Sequence, residues 1–168
     1  MSMSTPELVA VKKTVVLTYG TFDLFHVGHL NLLRNLKRLG DRLIVGVSTD
    51  AFNDQKGKKT VIPYEHRVQI VEAVRYVDAV FPESSWEQKA ADVRRFGADI
   101  FAMGDDWIGK FDDLSELCEV VYLPRTKDIS STEVKSLARQ ELHSAIDEVA
   151  KAADRLNRMI ASLADTGR

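Results

Sequence analysis

Tyr19-Gly20-Thr21-Phe22-Asp23-Leu24-Phe25-His26-Val27-Gly28-His29 follows directly on the apolar run Thr14-Val15-Val16-Leu17-Thr18. The run has the length and β-branched content of a buried strand, and the glycine that ends it marks a tight turn. A helix is expected to start near Val27, which puts His26 and His29 on the same side of its opening turn. Helix N-termini attract anions, because their amides lack intrahelical partners and the dipole is positive there. Gly28 leaves a patch without a side chain, where a phosphate can reach the backbone. Strand, turn and helix in this order read as a polyphosphate cradle, the plainer account being two surface histidines. Asp23 is expected to cap the helix or to orient a histidine.

Working outward, strands and helices alternate. Val15–Tyr19 is followed by a helix over Val27–Leu39, for which Gly40 is the expected C-terminal stop. Arg42–Val47 forms the next strand, and Ser48 to Thr60 a polar loop. Pro63 opens a helix through Ala73, since proline is tolerated in a first turn. Ala79–Phe81, Asp99–Ala102 and Glu119–Leu123 are expected strands, with a helix over Trp86–Arg95 between the first two. This β-α alternation with short connections gives an α/β fold: a mainly parallel sheet with helices on both faces. Ligands of such sheets bind beyond the carboxyl ends of the strands, where the first motif lies.

The bulk numbers exclude several classes. The 168 residues are one domain's worth, and 45% hydrophobic with 29% charged residues is ordinary for a soluble globular protein. A formal net charge of −2 argues against nucleic acid as a partner. No segment has the length of a membrane span, and residues 1–13 do not read as a signal peptide, so the cytoplasm is the expected setting. Cys118 is the only cysteine, which excludes an intrachain disulfide; it reads as a small apolar residue beside Val120-Val121-Tyr122.

Four further segments carry chemistry. Lys56-Gly57-Lys58-Lys59 follows the second strand and could fold over the same sheet edge as the first motif, or be merely solvated. Tyr64-Glu65-His66-Arg67 and Arg75-Tyr76-Val77-Asp78 place two arginines eight apart, a spacing that could put both on one helix face, the plainer account being a salt-bridged helix surface. Gly104-Asp105-Asp106-Trp107 offers two acids after a strand end, suited to Mg²⁺, to a base or ribose, or to an ordinary polar loop. Arg125-Thr126-Lys127-Asp128-Ile129-Ser130-Ser131-Thr132-Glu133 is a hydroxyl-rich helix start behind an arginine, with Ser130 or Ser131 as its cap.

The tail differs. Leu142, Ile146, Val149, Ala153, Leu156, Ile160 and Leu163 recur at spacings of four and three, a heptad seam over about three repeats. Glu141, Asp147 and Glu148 come first, and Lys151, Arg155 and Arg158 later, which complements the helix dipole. Such a helix either packs back on its own domain or joins two subunits.

In order along the chain, these motifs resemble the glycerol-3-phosphate cytidylyltransferase family. The resemblance rests on Tyr19-Gly-Thr-Phe-Asp-Leu24, Tyr64-Glu-His-Arg67, Arg75-Tyr-Val-Asp78, Trp86-Glu-Gln-Lys89, Met103-Gly-Asp-Asp-Trp107 and Cys118-Glu-Val-Val-Tyr-Leu-Pro-Arg-Thr126. It implies a Rossmann-like fold, CTP as donor, glycerol 3-phosphate as acceptor, CDP-glycerol and pyrophosphate as products, Mg²⁺ as cofactor and a homodimer. It also implies a role in making a cell-surface polymer such as teichoic acid. Thr21 and Phe22 would line the CTP pocket with Val27 and Gly28. His26, His29 and Lys58 would hold its phosphates, and Arg125 to Thr132 would enclose it. Lys56 and Lys89 match positions for the phosphorylated alcohol. Asp23, Arg67 and Arg75 are assigned to the acceptor, and Asp106 to the nucleotide. His26, His29, Lys56, Lys58 and Arg125 form the catalytic set, and no metal ligands are assigned. The implied division is an extension over 1–13, a cytidylyltransferase domain over 14–138 and a C-terminal helix over 139–168.

Three positions depart from the family pattern: Val27 stands where an aromatic is usual, Asp128 where glycine is usual, and Ser131 where threonine is usual. The alternatives to this reading are a related transferase using ATP, phosphoethanolamine or a sugar phosphate, and a non-catalytic nucleotide-binding module.

Overall fold

A computed structural model describes residues 12–166; the expected extension over 1–13 falls outside them apart from its last two residues. The elements are β1 (Val15–Gly20), α1 (Val27–Lys37), β2 (Arg42–Ser48), α2 (Asp50–Gln55), α3 (Tyr64–Glu72), β3 (Ala79–Glu83), α4 (Gln88–Phe96), β4 (Ile100–Gly104), β5 (Glu119–Leu123) and α5 (Ser131–Thr166), with two short 3₁₀ turns between β4 and β5. All strand pairs are parallel, in the order β3-β2-β1-β4-β5. The chain leaves β1 toward β2 on one side and returns to β4 on the other. The carboxyl ends of β1 and β4 therefore flank the point where the winding reverses, the usual ligand crevice of such a sheet.

Period-two alternation sorts the core onto two faces. Val15, Leu17 and Tyr19 of β1, with Ile44, Phe101 and Met103, pack with Val93 of α4 and Phe111 and Leu114 of the turns. Val16, Leu43, Val45 and Ala102 face the other way, onto Leu33 and Leu36 of α1 and Val71 of α3.

Several boundaries differ from the sequence expectation. The stretch Ser48–Thr60 holds a helix, α2, capped by Thr49, whose Oγ1 accepts from Phe52 N. Gly40 is not the stop of α1, which ends on Arg38 in the right-handed region. A Cβ at Gly40 would lie 2.8 Å from Thr14 O, so glycine is needed there for close approach to β1. Pro63 is the N-cap of α3 and lies just outside it. β3 runs on through Pro82 to Glu83; as an edge strand it tolerates the missing amide. α4 starts at Gln88, leaving Trp86 in the loop before it.

The chain divides into two compact units between Asp128 and Ile129. The first holds the sheet. The second is dominated by α5, so position 138, the expected end of the first domain, lies inside one continuous helix. Ser130 caps that helix, its Oγ accepting from Glu133 N at 3.1 Å.

Candidate functional site

The turn after β1 is unusual. Phe22 and Leu24 both have positive φ, 53° and 48°, a region that costs a non-glycine residue about 1–3 kcal/mol. The surroundings hold it there. Phe22 folds back over Gly20, where a Cβ would lie 2.7 Å from the ring. The Asp23 carboxylate, buried, accepts from Val61 N and Ile62 N at 2.9–3.1 Å. Arg67 donates to Thr21 O (2.5 Å), Ile62 O (2.9 Å) and Asp50 Oδ1 (2.6 Å).

Two expectations are corrected by these contacts. Asp23 does not cap α1; it ties the turn to the segment before α3. Arg67 is not on a helix surface but fully buried, so it acts on the turn and on Asp50 and is not available to an acceptor. Asp50, besides Arg67, receives Tyr64 N at 2.9 Å. Burial raises its carboxyl, but these donors outweigh that and hold it below the ordinary range.

The cap of α1 is imidazole. His26 is the N-cap, with Gly28 N donating to His26 Nδ1 at 3.1 Å. His29, at the third helical position, accepts from His26 N through its own Nδ1 at 3.4 Å, closing a reciprocal capping box. Both Nδ1 atoms accept, which places a ring proton on each Nε2. The two rings stack with centroids 3.9 Å apart. His29 also packs against Phe22 and Phe25, each at 5.4 Å. Burial among these rings, reinforced by His26 and Arg125, pushes the His29 pKa down to about 4. His29 is thus a neutral donor at physiological pH.

The lysines form a second centre. Lys89, buried, donates to Glu83 Oε1 at 2.7 Å. Lys56 donates to Ser48 Oγ at 2.9 Å and lies 3.6 Å from Glu83 Oε2, while Ser48 Oγ itself donates to that oxygen. Aromatic rings enclose both ammonium groups. Lys89 Nζ is 4.6 Å from the Tyr19 ring and 4.7 Å from Trp86, and Lys56 Nζ is 4.2 Å from Phe52. Burial pushes Lys56 down to about 8, with Lys58 and Lys89 adding to the fall and Glu83 opposing it. Tyr19 donates to Asp92 at 2.9 Å, and burial drives its phenol well above the ordinary range. Glu83 was missed in the sequence reading: no spacing rule joins the end of one strand to lysines 27 residues before and six after it.

The remaining expected residues divide. Lys58 is exposed and reaches toward the 3₁₀ turn after β4, its Nζ 5.6 Å from the Trp107 ring. Asp106, in that turn, lies 3.5 Å from Arg125, an exposed pair. Thr126 Oγ1 accepts from Asn31 of α1 at 3.2 Å, which ties the segment after β5 to the first motif. Thr21 Oγ1 bonds the Asn53 side chain. Phe22 is only 3% exposed, so it can offer a ligand its backbone alone. Val27 and Lys127 are exposed. Ile129, Ser130, Ser131 and Thr132 belong to the second unit.

Arg75 is a correction. It lies past the end of α3, in the turn that enters the amino end of β3, with its guanidinium 6.0 Å from the Tyr76 ring. The first motif is at the other end of the sheet. Asp128 has φ 60°, the left-handed region in which glycine is favoured and aspartate among the better-tolerated alternatives.

The arrangement brings two imidazoles at a helix start, an exposed arginine, the buried Lys89 and the half-buried Lys56 to the carboxyl edge of one sheet. The chain is also similar in sequence to known proteins. A family profile described as Cytidylyltransferase-like matches residues 17–137. The chain is 59% identical over 120 residues to the glycerol-3-phosphate cytidylyltransferase of Bacillus subtilis (strain 168), covering 71% of this chain and 93% of that protein. It is 52% identical over 128 residues to the protein of that name from Staphylococcus aureus (strain NCTC 8325 / PS 47), covering 76% and 94%. Among solved structures, the lipopolysaccharide core biosynthesis protein from Thermoplasma volcanium GSS1 is similar in fold, with a TM-score of 0.62 and 23% identity over 69% of this chain and all of that one.

Proposed function

The chain belongs to the cytidylyltransferase-like family, and from that premise we propose that it transfers the cytidylyl group of CTP to sn-glycerol 3-phosphate. The products are CDP-glycerol and pyrophosphate. A phosphate oxygen of the acceptor attacks the α-phosphorus, the bond from that phosphorus to the bridging oxygen of pyrophosphate breaks, and its electron pair leaves with pyrophosphate. The attacking oxygen is already ionised at neutral pH, so no strong general base is needed. What the protein must supply is position and charge compensation.

Its own residues suit those tasks. His26 and His29, their Nδ1 atoms held by backbone amides, turn their single donors to the triphosphate at the start of α1. Arg125 and Lys58 add charge from the loops. Lys56 and Lys89 take the acceptor phosphate: each ammonium has three N–H groups, more than its contacts with Glu83 and Ser48 consume. Arg67 and Asp23 touch no reactant; they fix the turn carrying Thr21 and Phe22.

Mg²⁺ belongs to this proposal. Among the described residues no group of three or more His, Cys, Asp and Glu side chains forms a metal cage. Mg²⁺ on nucleotides is ordinarily held by one or two carboxylates with phosphates completing its shell. Asp105 and Asp106 beyond β4 fit that smaller requirement as hard oxygen donors. When bound, the ion would neutralise phosphate charge. No described helix is long and apolar enough to cross a membrane, and the proposed setting is the cytoplasm, with the enzyme a homodimer supplying CDP-glycerol to a polymer of the teichoic acid kind.

The observation that carries the reading is the high identity to two glycerol-3-phosphate cytidylyltransferases over nearly their whole length. The test is pyrophosphate release from CTP, glycerol 3-phosphate and Mg²⁺, with CDP-glycerol identified by mass. Phosphoethanolamine, a sugar phosphate and ATP are run in parallel. Faster turnover with any of these moves the assignment to that substrate, and CTP binding without turnover by calorimetry marks a non-catalytic module.

A further inference from the structure

Asn53 is a fully buried polar residue that the chemistry above does not use. Its neighbours fix the orientation of its amide. The Ser48 carbonyl, 3.4 Å from Nδ2, can only accept, so the amide nitrogen faces it. Oδ1 then faces Thr21, whose Oγ1 donates to it at 3.0 Å. One side chain therefore joins the turn after β1 to the end of β2, where the Ser48 hydroxyl receives the Lys56 ammonium.

The main chain of the same residue holds the second lysine of the loop. Lys58 N donates to Asn53 O at 2.9 Å and Gly57 N to Asp54 O at 3.0 Å, with Gly57 at φ 68°. These are the two bonds of a Schellman motif, and they close α2 with the backbone from Lys56 to Lys58 set in one conformation. Beyond the lysines, Val61 N and Ile62 N donate to the Asp23 carboxylate. The lysine-bearing stretch is thus pinned at both ends to the turn between β1 and α1, by Thr21 through Asn53 and by Asp23.

We propose that Asn53 is a positioning residue for the transfer: it fixes the spacing between the turn that holds the nucleotide and the lysines, and touches neither reactant. The proposal rests on the reading above, in which Thr21 and Lys58 serve CTP and Lys56 the acceptor phosphate. In-line attack requires two polyanions to be aligned together, and a shift of about 1 Å between the parts that hold them can cost about 100-fold in rate. Loss of the link therefore slows the chemical step and leaves each substrate's own contacts in place.

The test compares the full-length wild type with Asn53→Ala, Thr21→Val and the double variant, each assayed for pyrophosphate release well below its own melting temperature. Asn53→Ala should lower kcat about 10- to 100-fold while the KM values for CTP and glycerol 3-phosphate stay within about threefold. Thr21→Val cuts the same link from the other side with little change of shape, so the double variant should lose no more kcat than Asn53→Ala alone. A lowered melting temperature with kcat unchanged makes Asn53 a structural residue and overturns the proposal. A raised KM for one substrate with kcat kept also overturns it, because Asn53 then serves a single site. So do losses that multiply in the double variant, which mean that the two residues act apart. Should Asn53→Ala fail to fold, Thr21→Val decides: a fall in kcat at kept KM supports the link, and an unchanged kcat refutes it. A wild type without turnover removes the transferase reading and this proposal with it, whereas full turnover in both single variants removes this proposal alone.

Discussion

His29→Gln separates the electrostatic role of this ring from its structural one. Glutamine at the third helical position can accept the His26 amide as the imidazole does, so the capping box survives. What is lost is a group that titrates and a ring donor held in place by its packing against His26, Phe22 and Phe25. An unfolded histidine protonates near 6.5, and the folded His29 near 4. Between those values the unfolded chain binds the extra proton, so stability rises with pH through the window and is lost as pH falls. Worked from the two values, the loss at pH 5 is about 2 kcal/mol, against about 0.2 kcal/mol at pH 7. In urea that is a midpoint shift on the order of 1 M.

The window is clear of the carboxylates. Asp50, Asp78 and Asp99 are also held below the ordinary range: burial opposes the shift at Asp50 and Asp78, but the donors of Arg67, Tyr64 N, Lys37 and Leu43 N outweigh it, and Lys12 and Val15 N act on Asp99. Their contribution fades only as pH falls below about 4. Urea denaturation of wild type and His29→Gln at pH 7 and pH 5 should therefore show the wild type losing about 2 kcal/mol more than the variant. Equal losses would refute the buried neutral ring. Turnover at pH 7 should meanwhile drop roughly 100- to 1,000-fold in the variant, the usual cost of one preorganised donor.

Three other substitutions test the scaffold. Glu83→Gln leaves Lys89 and Lys56 without their shared carboxylate and should cost about 3–5 kcal/mol in urea denaturation at pH 7; a loss below about 1 kcal/mol would mean the lysines do not depend on it. Arg67→Met strands the Thr21 and Ile62 carbonyls, so a stability loss of at least about 2 kcal/mol is expected with a raised KM for CTP; an unchanged KM would detach Arg67 from the turn it grips. Asp128→Val forces a β-branched residue into the left-handed region and should lower stability by about 1–2 kcal/mol, whereas Asp128→Gly should not, a contrast that calorimetric melting reads directly.

The fold was legible because its signals are local. A β-branched run closed by glycine, and proline one residue before a helix, report on neighbours only, and the five strands, the four main helices and their order followed from them. Errors arose where a local signal had two uses. Gly40 resembled a helix stop, yet it is small because β1 passes 2.8 Å from where its Cβ would be. Asp23 stood where a cap belongs, yet the histidines cap the helix themselves.

The site was less legible because parallel crossovers build it from distant segments. Asp23 meets Val61 across 38 residues, Arg67 meets Thr21 across 46, and Tyr19 meets Asp92 across 73. No spacing in the sequence encodes those pairings, so Arg67 looked like a surface charge until the fold enclosed it. Asp128 shows the converse. Read as chemistry, an acid in place of the usual glycine puts a negative charge beside the proposed triphosphate site. Its φ of 60° shows that the position is constrained by backbone conformation, which aspartate satisfies. A left-handed position suits the glycine usual there, and Asp128 meets the same backbone requirement while adding one exposed carboxylate to the loop.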